Sequence, residues 1–144
     1  LPASQAVNAA IRSYPYDFMV WAERLADQHA ITHLIPDGEA IVRKQVLDVD
    51  ELSTAVMWME LEGHRVPVVN ATGSVSDVGH RLCELFSDAP FSASYRDAGE
   101  DRREWSLRSV GDFDVSEIAK QYGGGGHRNA AGFRTARPPL LIDD

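Results

Sequence analysis

The chain has 144 residues, 44% of them hydrophobic and 25% charged, which gives enough length for one moderate core in the ordinary globular range. Its single cysteine, Cys83, excludes an internal disulfide, and no apolar run approaches the ~20 residues of a membrane span. A net charge of −8 argues against a generic DNA-coating surface, which relies on many Lys and Arg side chains.

The charge is uneven along the chain. Residues 1–95 hold 6 basic against 13 acidic groups, whereas residues 96–137 hold 8 against 7, so an anion site is expected in the later part. The opening Leu1-Pro2-Ala3-Ser4-Gln5 has neither an initiator Met nor the basic and apolar regions of a secretory signal, and is read as the start of a fragment of a longer, cytoplasmic chain.

From Ser4 to about Val49 the pattern is helical. Phe18, Trp21, Ala22, Leu25 and Ala26 recur at the spacing of one helix face, with Pro15 and Asp17 suited to its start, and this stripe is expected to be core. Pro36 with Asp37 suits a second helix start, and Ile41, Val42, Gln45 and Val46 continue the pattern to the acidic stretch 48–51. Near Val56 the period changes. Val56 to Met59, then Glu62-Gly63-His64 and the β-branched run from Val66 to Val69, predict a hairpin, with Pro67 at an edge or at a strand start.

Residues 74–87 read as a helix capped by Ser74 or Ser76, with Val78, Leu82, Leu85 and Phe86 on its buried face. Two further strands fit 91–96 and 104–109. Asp114 then caps a short helix, with Glu117 three positions later as in a capping box. Ala130-Ala131-Gly132-Phe133 returns to the sheet. The sum is an α/β domain, a mixed sheet of about five strands with flanking helices over 55–144, preceded by a helical linker segment over 1–54.

The informative run is Gly123-Gly124-Gly125-Gly126-His127-Arg128-Asn129. Consecutive glycines forfeit backbone entropy and side-chain packing, up to about 1 kcal/mol each in regular structure. One reading is a flexible helix terminator. The other is a phosphate cradle: glycine permits positive φ and close approach, successive amides form an anion nest, His127 supplies a switchable donor and Arg128 a fixed planar cation. No Gly-Lys-Ser/Thr follows, so it is not a nucleoside-triphosphate loop.

Gly123 to Phe133, preceded by Ser106-Leu107-Arg108-Ser109 and by the run from Phe113 to Ala119, resembles the signature of the DHH-associated C-terminal domain of DHH-superfamily phosphoesterases. The segments 66–71 and 77–80 resemble that domain's opening strand and helix, and the N-terminal helices resemble, less specifically, its linker. The resemblance implies that Gly123, Gly124, Gly125, Gly126, His127, Arg128 and Asn129 contact a substrate phosphate, with Arg108 a second phosphate or base contact. Asn70 is a further candidate, for ligand binding or for strand capping. Trp105 suits core packing more readily than base stacking.

The resemblance also implies an N-terminal DHH domain in the same chain, holding two divalent ions, Mn2+ or Mg2+, that activate water against a phosphoester. Nothing in this sequence matches that half. Asp27-Gln28-His29 is a superficial echo, and histidines 29, 33, 64, 80 and 127 lack clustered Asp partners. The expected partner is a phosphate ester such as a short oligonucleotide, a cyclic dinucleotide or a nucleoside phosphate, and this fragment alone is expected to be inert. The rival readings are a non-catalytic nucleic-acid-binding module and a ligand sensor.

Overall fold

The computed structural model describes residues 2–138; residue 1 and residues 139–144, the end of the predicted C-terminal domain, lie outside the described residues. Two compact units form, Leu1–Asp48 and Val49–Asp144, and the division falls inside one long helix.

The first unit comprises α1 (Pro2–Ile11), α2 (Phe18–Arg24) and most of α3 (Gln28–Thr54). Its small core joins Ala10, Ile11 and Leu34, with Val7, Tyr14 and Trp21 packed against them. Gly38 admits α1 closely, because a Cβ there would stand 2.8 Å from the Ala6 Cα. Asp17 caps α2 as predicted, accepting from the amides of Met19 and Val20.

Two readings of this segment are corrected. The apolar stripe is not core: α2 has about two turns and buries none of its residues, and Phe18 is 83% exposed, so of the stripe only Trp21 packs. Pro36 does not start a helix but lies inside α3. The apolar period runs through it, and one missing backbone donor is a local loss that a long helix survives.

The second unit is a mixed sheet of β1 (Met57–Leu61), β2 (His64–Asn70), β3 (Ser92–Asp97), β4 (Arg102–Arg108), β5 (Gly125–His127) and β6 (Ala130–Ala136), in the order β1-β2-β3-β4-β6-β5. Every neighbouring pair is antiparallel except β2 and β3. Those two are joined through α4 (Val75–Leu85), the crossover that a parallel pair requires. α5 (Val115–Gln121) bridges β4 and β5.

Side chains alternate across a sheet, so the pairing register sorts them onto two faces. On one face Val66, Val68, Ala93, Leu107, Ala131 and Phe133 pack with Ile118 and Ala119 of α5. On the other, Val69 packs with Val78 and Leu82 of α4 and with Val49. Leu85, expected on the buried face of α4, is instead 48% exposed.

Pro67 stands in an inner strand, yet β3 pairs with β2 only from Val68 onward, so the proline forgoes no bond to that neighbour. The sheet has six strands where about five were expected. The extra one, β5, lies within the glycine run, whose composition carries no strand signal; a two-residue hairpin turn at Arg128-Asn129 pulls it onto β6.

Candidate phosphate-binding site

The glycine run begins as a helix cap. Gly123, at φ 74°, donates to the Lys120 carbonyl at 3.0 Å and Gly124 to the Ala119 carbonyl at 2.9 Å, the paired bonds of a Schellman termination of α5. Those two amides are thereby spent inside the protein. Gly124 must also lack a side chain, since a Cβ would collide with the Gly132 carbonyl and lie 2.6 Å from the Phe133 Cβ. Gly126 is doubly constrained, with φ 145° and a Cβ position 2.5 Å from the Ala130 carbonyl oxygen. Gly125 alone of the four has negative-side backbone and open space where a Cβ would stand. It is the glycine whose bareness the fold does not require.

The turn that follows is pinned from two sides. The Arg128 carbonyl accepts from the Val115 amide at 2.8 Å and the Asn129 carbonyl from the Ser109 amide at 3.2 Å. The Asn129 amide group donates to Ser109 Oγ at 2.9 Å and to the Gly111 carbonyl at 3.0 Å. Asn129 therefore holds the turn, whereas the Arg128 side chain, 59% exposed, has as its nearest carboxylate Asp112 at 3.9 Å. His127 is exposed and carries no side-chain hydrogen bond.

The register brings Arg108 to this hairpin. Arg108 pairs with Ala130, and Ala130 with His127; residues directly opposite share a face, so Arg108 and His127 stand on the α4 side of the sheet, two strand spacings or about 10 Å apart. The Arg108 stem lies against Gly79, where a Cβ would come within 2.6 Å of its Cγ. Its guanidinium donates to Ser106 Oγ at 3.1 Å, to the Leu107 carbonyl at 2.9 Å and to Ser76 Oγ at 3.2 Å.

The charge partners separate this arginine from its neighbours. Arg96, Arg102 and Arg134 converge on Glu104, and Arg103 and Arg137 on Asp97. The Arg96 and Arg103 guanidiniums bonded to them hold the Glu104 and Asp97 carboxyls below the usual carboxylate range. Arg108 has no ion-pair partner among the described residues. An uncompensated, half-buried guanidinium fixed by neutral donors and acceptors, with a second arginine and a histidine nearby, is chemically suited to an oxyanion.

Asn70 does not join this group. It pairs with Tyr95, whose ring packs on the α5 side, so its position in the register faces away from Arg108 and His127. Trp105 packs on that same α5 side against the core, with Nε1 bonded to Thr135 Oγ1 at 3.0 Å. Sequence reasoning did not single out Ser76 and Ser106. Ser106 was within reach, since in Ser-Leu-Arg-Ser the period of two puts it on Arg108's face; Ser76 is 32 positions from Arg108, and only the fold joins them. Among the described residues no group of three or more His, Cys, Asp or Glu side chains is placed to hold a metal ion.

A mixed α/β sheet carrying a glycine-rich hairpin, with an uncompensated arginine on the same face, defines a binding domain for a phosphorylated ligand rather than a self-contained metal catalyst. Residues 71–141 match the DHHA1 domain, and the chain carries the DHH-associated domain of the DHH-superfamily phosphoesterases.

An uncharacterized protein of Acanthamoeba polyphaga mimivirus is 31% identical over 123 residues, covering 81% of this chain and 29% of that protein. The oligoribonuclease NrnB of Bacillus subtilis (strain 168) is 40% identical over 70 residues, covering 48% of this chain and 17% of that protein. The chain thus spans under a third of either curated relative.

Among solved structures, the pGpG-specific phosphodiesterase PggH of Vibrio cholerae superposes with a TM-score of 0.56 at 14% identity, covering 94% of this chain and 53% of that one. RecJ of Thermus thermophilus in complex with Mg2+ gives 0.53 at 17% identity, covering 90% and 21%. At those identities the superpositions establish the fold.

Proposed function

We propose that this chain is the substrate-binding part of a metal-dependent phosphoesterase, gripping a phosphate of a nucleotide or short oligonucleotide while a DHH domain outside this sequence performs the hydrolysis. The observation that carries the reading is the row Arg108, Ala130, His127 on one sheet face, with Arg128 on the adjoining turn and no ion-pair partner for Arg108 among the described residues. Arg108, His127, Arg128 and the open face of Gly125 would contact the phosphate. Gly123, Gly124, Gly126 and Asn129 shape and hold the hairpin, and Asn70 is left as a strand-end residue.

The names of the relatives support this assignment: an oligoribonuclease, a phosphodiesterase specific for a linear dinucleotide, and a nuclease solved with Mg2+. The divalent ion, Mn2+ or Mg2+, belongs in this reading to the DHH domain, and none of the present residues is assigned to it. No helix among the described residues is long and apolar enough to cross a membrane, and we place the protein in the cytoplasm, where such substrates arise.

The test is steady-state hydrolysis by the longer parent protein with Mn2+, on 5′-phosphorylated di- to pentanucleotides, a cyclic dinucleotide and a nucleoside bisphosphate. A charge-assisted hydrogen bond contributes about 1.5–3 kcal/mol, so Arg108→Ala and Arg128→Ala should each lower kcat/KM at least about tenfold. Unchanged kinetics in both variants would remove the assignment, and binding without turnover by the parent would move it to a non-catalytic nucleic-acid-binding module.

A further inference from the structure

One buried hydroxyl in the second unit has nothing to bond to. Ser94 is 1% exposed, and its Oγ has no hydrogen-bond partner. A buried hydroxyl left in that state costs roughly 1–3 kcal/mol, so its retention calls for a use.

Ser94 lines a cleft of about 360 Å³ together with Ala71, Val75, Arg96, Glu104 and Ser106. The register shows what this cleft is. Val69, Ser94, Ser106, Gly132 and Gly125 form one transverse row across five strands, on the same face as Arg108 and His127. Its middle, from Ser94 to Gly125, is a trough of small side chains leading from the first turn of α4 to the glycine hairpin. Beside it on one side lies the row holding Arg108 and His127. On the other lies the row Arg96, Glu104, Arg134, where three guanidiniums, Arg102 included, share a single carboxylate. Two of those three positive charges are not neutralised by it. Arg108 and Glu104 are four residues apart on β4, about 13 Å.

We infer that this trough is a second nucleotide subsite: the sugar-phosphate of a linear oligonucleotide crosses it, with Ser94 Oγ bonded to the ligand and a further phosphate held by Arg96 and Arg134. The inference rests on the proposed phosphate grip at Arg108 and deepens it, naming a linear oligonucleotide in place of an isolated nucleoside phosphate. Two cationic rows on one face with an uncharged floor between them suit a chain of repeating charges. A single phosphate would need only the first row.

Binding of 5′-phosphorylated mono-, di-, tri- and tetraribonucleotides to the 144-residue chain, followed by calorimetry at two salt concentrations, reads both sites separately. Affinity should rise at least tenfold between the mono- and trinucleotide. Arg96→Gln/Arg134→Gln should abolish that gain and flatten the salt dependence for the longer ligands by about one and a half charges' worth of slope, leaving mononucleotide affinity unchanged. Ser94→Ala removes a hydroxyl that bonds to nothing in the free protein, so it should hold or raise the melting temperature while lowering trinucleotide affinity about fivefold.

Mononucleotide binding that Arg108→Ala abolishes, together with no gain on lengthening the ligand, would overturn this inference and leave the phosphate grip standing. Ser94→Ala and the double variant both binding trinucleotide as the unaltered chain does would overturn it as well. No binding of any ligand by the unaltered chain would overturn both readings.

Discussion

Replacing each residue of the glycine run by alanine separates what the fold requires from what a ligand requires. At Gly126 alanine would occupy φ 145°, a region nearly restricted to glycine, with its Cβ 2.5 Å from the Ala130 carbonyl oxygen and 2.6 Å from the Ala131 Cα. Backbone strain of about 1–3 kcal/mol and overpacking of about 1–3 kcal/mol together give roughly 2–6 kcal/mol, a large part of the ~5–15 kcal/mol that holds an ordinary domain together. At Gly124 the overpacking acts alone, so about 1–3 kcal/mol is expected. Gly123→Ala meets no neighbour but keeps φ 74°, a cost of about 1–2 kcal/mol. At Gly125 neither penalty applies, and reduced freedom of the unfolded chain makes alanine neutral or stabilising by up to about 1 kcal/mol. Urea unfolding of the four variants at constant m-value measures the order directly. In the ligand assays Gly125→Ala should weaken phosphate binding several-fold despite its intact stability. Equal destabilisation at Gly125 and Gly126, or full affinity in Gly125→Ala, would refute the division of roles.

Three other outcomes are expected. Asn129→Ala removes both bonds that tie the hairpin turn to Ser109 and Gly111 and should cost about 1–3 kcal/mol, with faster hydrogen exchange at the Ser109 and Val115 amides; unchanged exchange would show that the turn is held otherwise. Gly79→Ala should improve the intrinsic helix propensity of α4 by up to about 1 kcal/mol but displace the Arg108 stem, so binding should fall with little loss of stability, and equal binding would detach Arg108 from the site. Asp97, Glu104 and Asp114 all have carboxyls held below their ordinary values, chiefly by hydrogen bonds from Arg103, Arg96 and Ser116. Their stabilisation is complete above the unfolded-state value near pH ~4 and drains away as pH falls through the lower folded-state values. Melting temperatures taken from pH 7 down to pH 2 should therefore drop on the acid side, less steeply in Glu104→Gln, whereas parallel curves for variant and parent chain would contradict that assignment.

How far the sequence could be read depended on how local each signal was. The β-branched run at Val66–Val69, the cap at Asp114 and the apolar positions Val78 and Leu82 are short-range patterns, and each became the element expected of it. The phosphate-binding candidates were visible because glycine, histidine and arginine stand side by side. Misreadings came where a local pattern was overruled by surroundings the sequence does not display. Phe18 and Leu25 follow a helical period, yet α2 ends before that period can build a buried face. The four glycines look alike in sequence, but two serve the α5 terminus, one is forced by β6 and only one is left bare, a difference that depends on strand register. Asn70 follows an apolar run much as Arg108 ends a strand, and only the pairing with Tyr95 sends it to the other face. Ser94 has no local signal at all: its meaning comes from residues on three other strands.

The helix α5 is gripped at both ends by the hairpin it precedes: its first amide, at Val115, holds the Arg128 carbonyl, and its last carbonyls receive Gly123 and Gly124. It therefore works as a gauge block that sets where the hairpin tip sits. Adding one residue to it would advance its far end by about 1.5 Å and rotate it by about 100°, so both grips could not be kept. The segment from 115 to 132 should tolerate exchange of its exposed side chains but no change of length, whereas the turn between β3 and β4, whose Gly99 has open space around it, can absorb insertions. For anyone engineering this domain, residues are negotiable near the site and spacing is not.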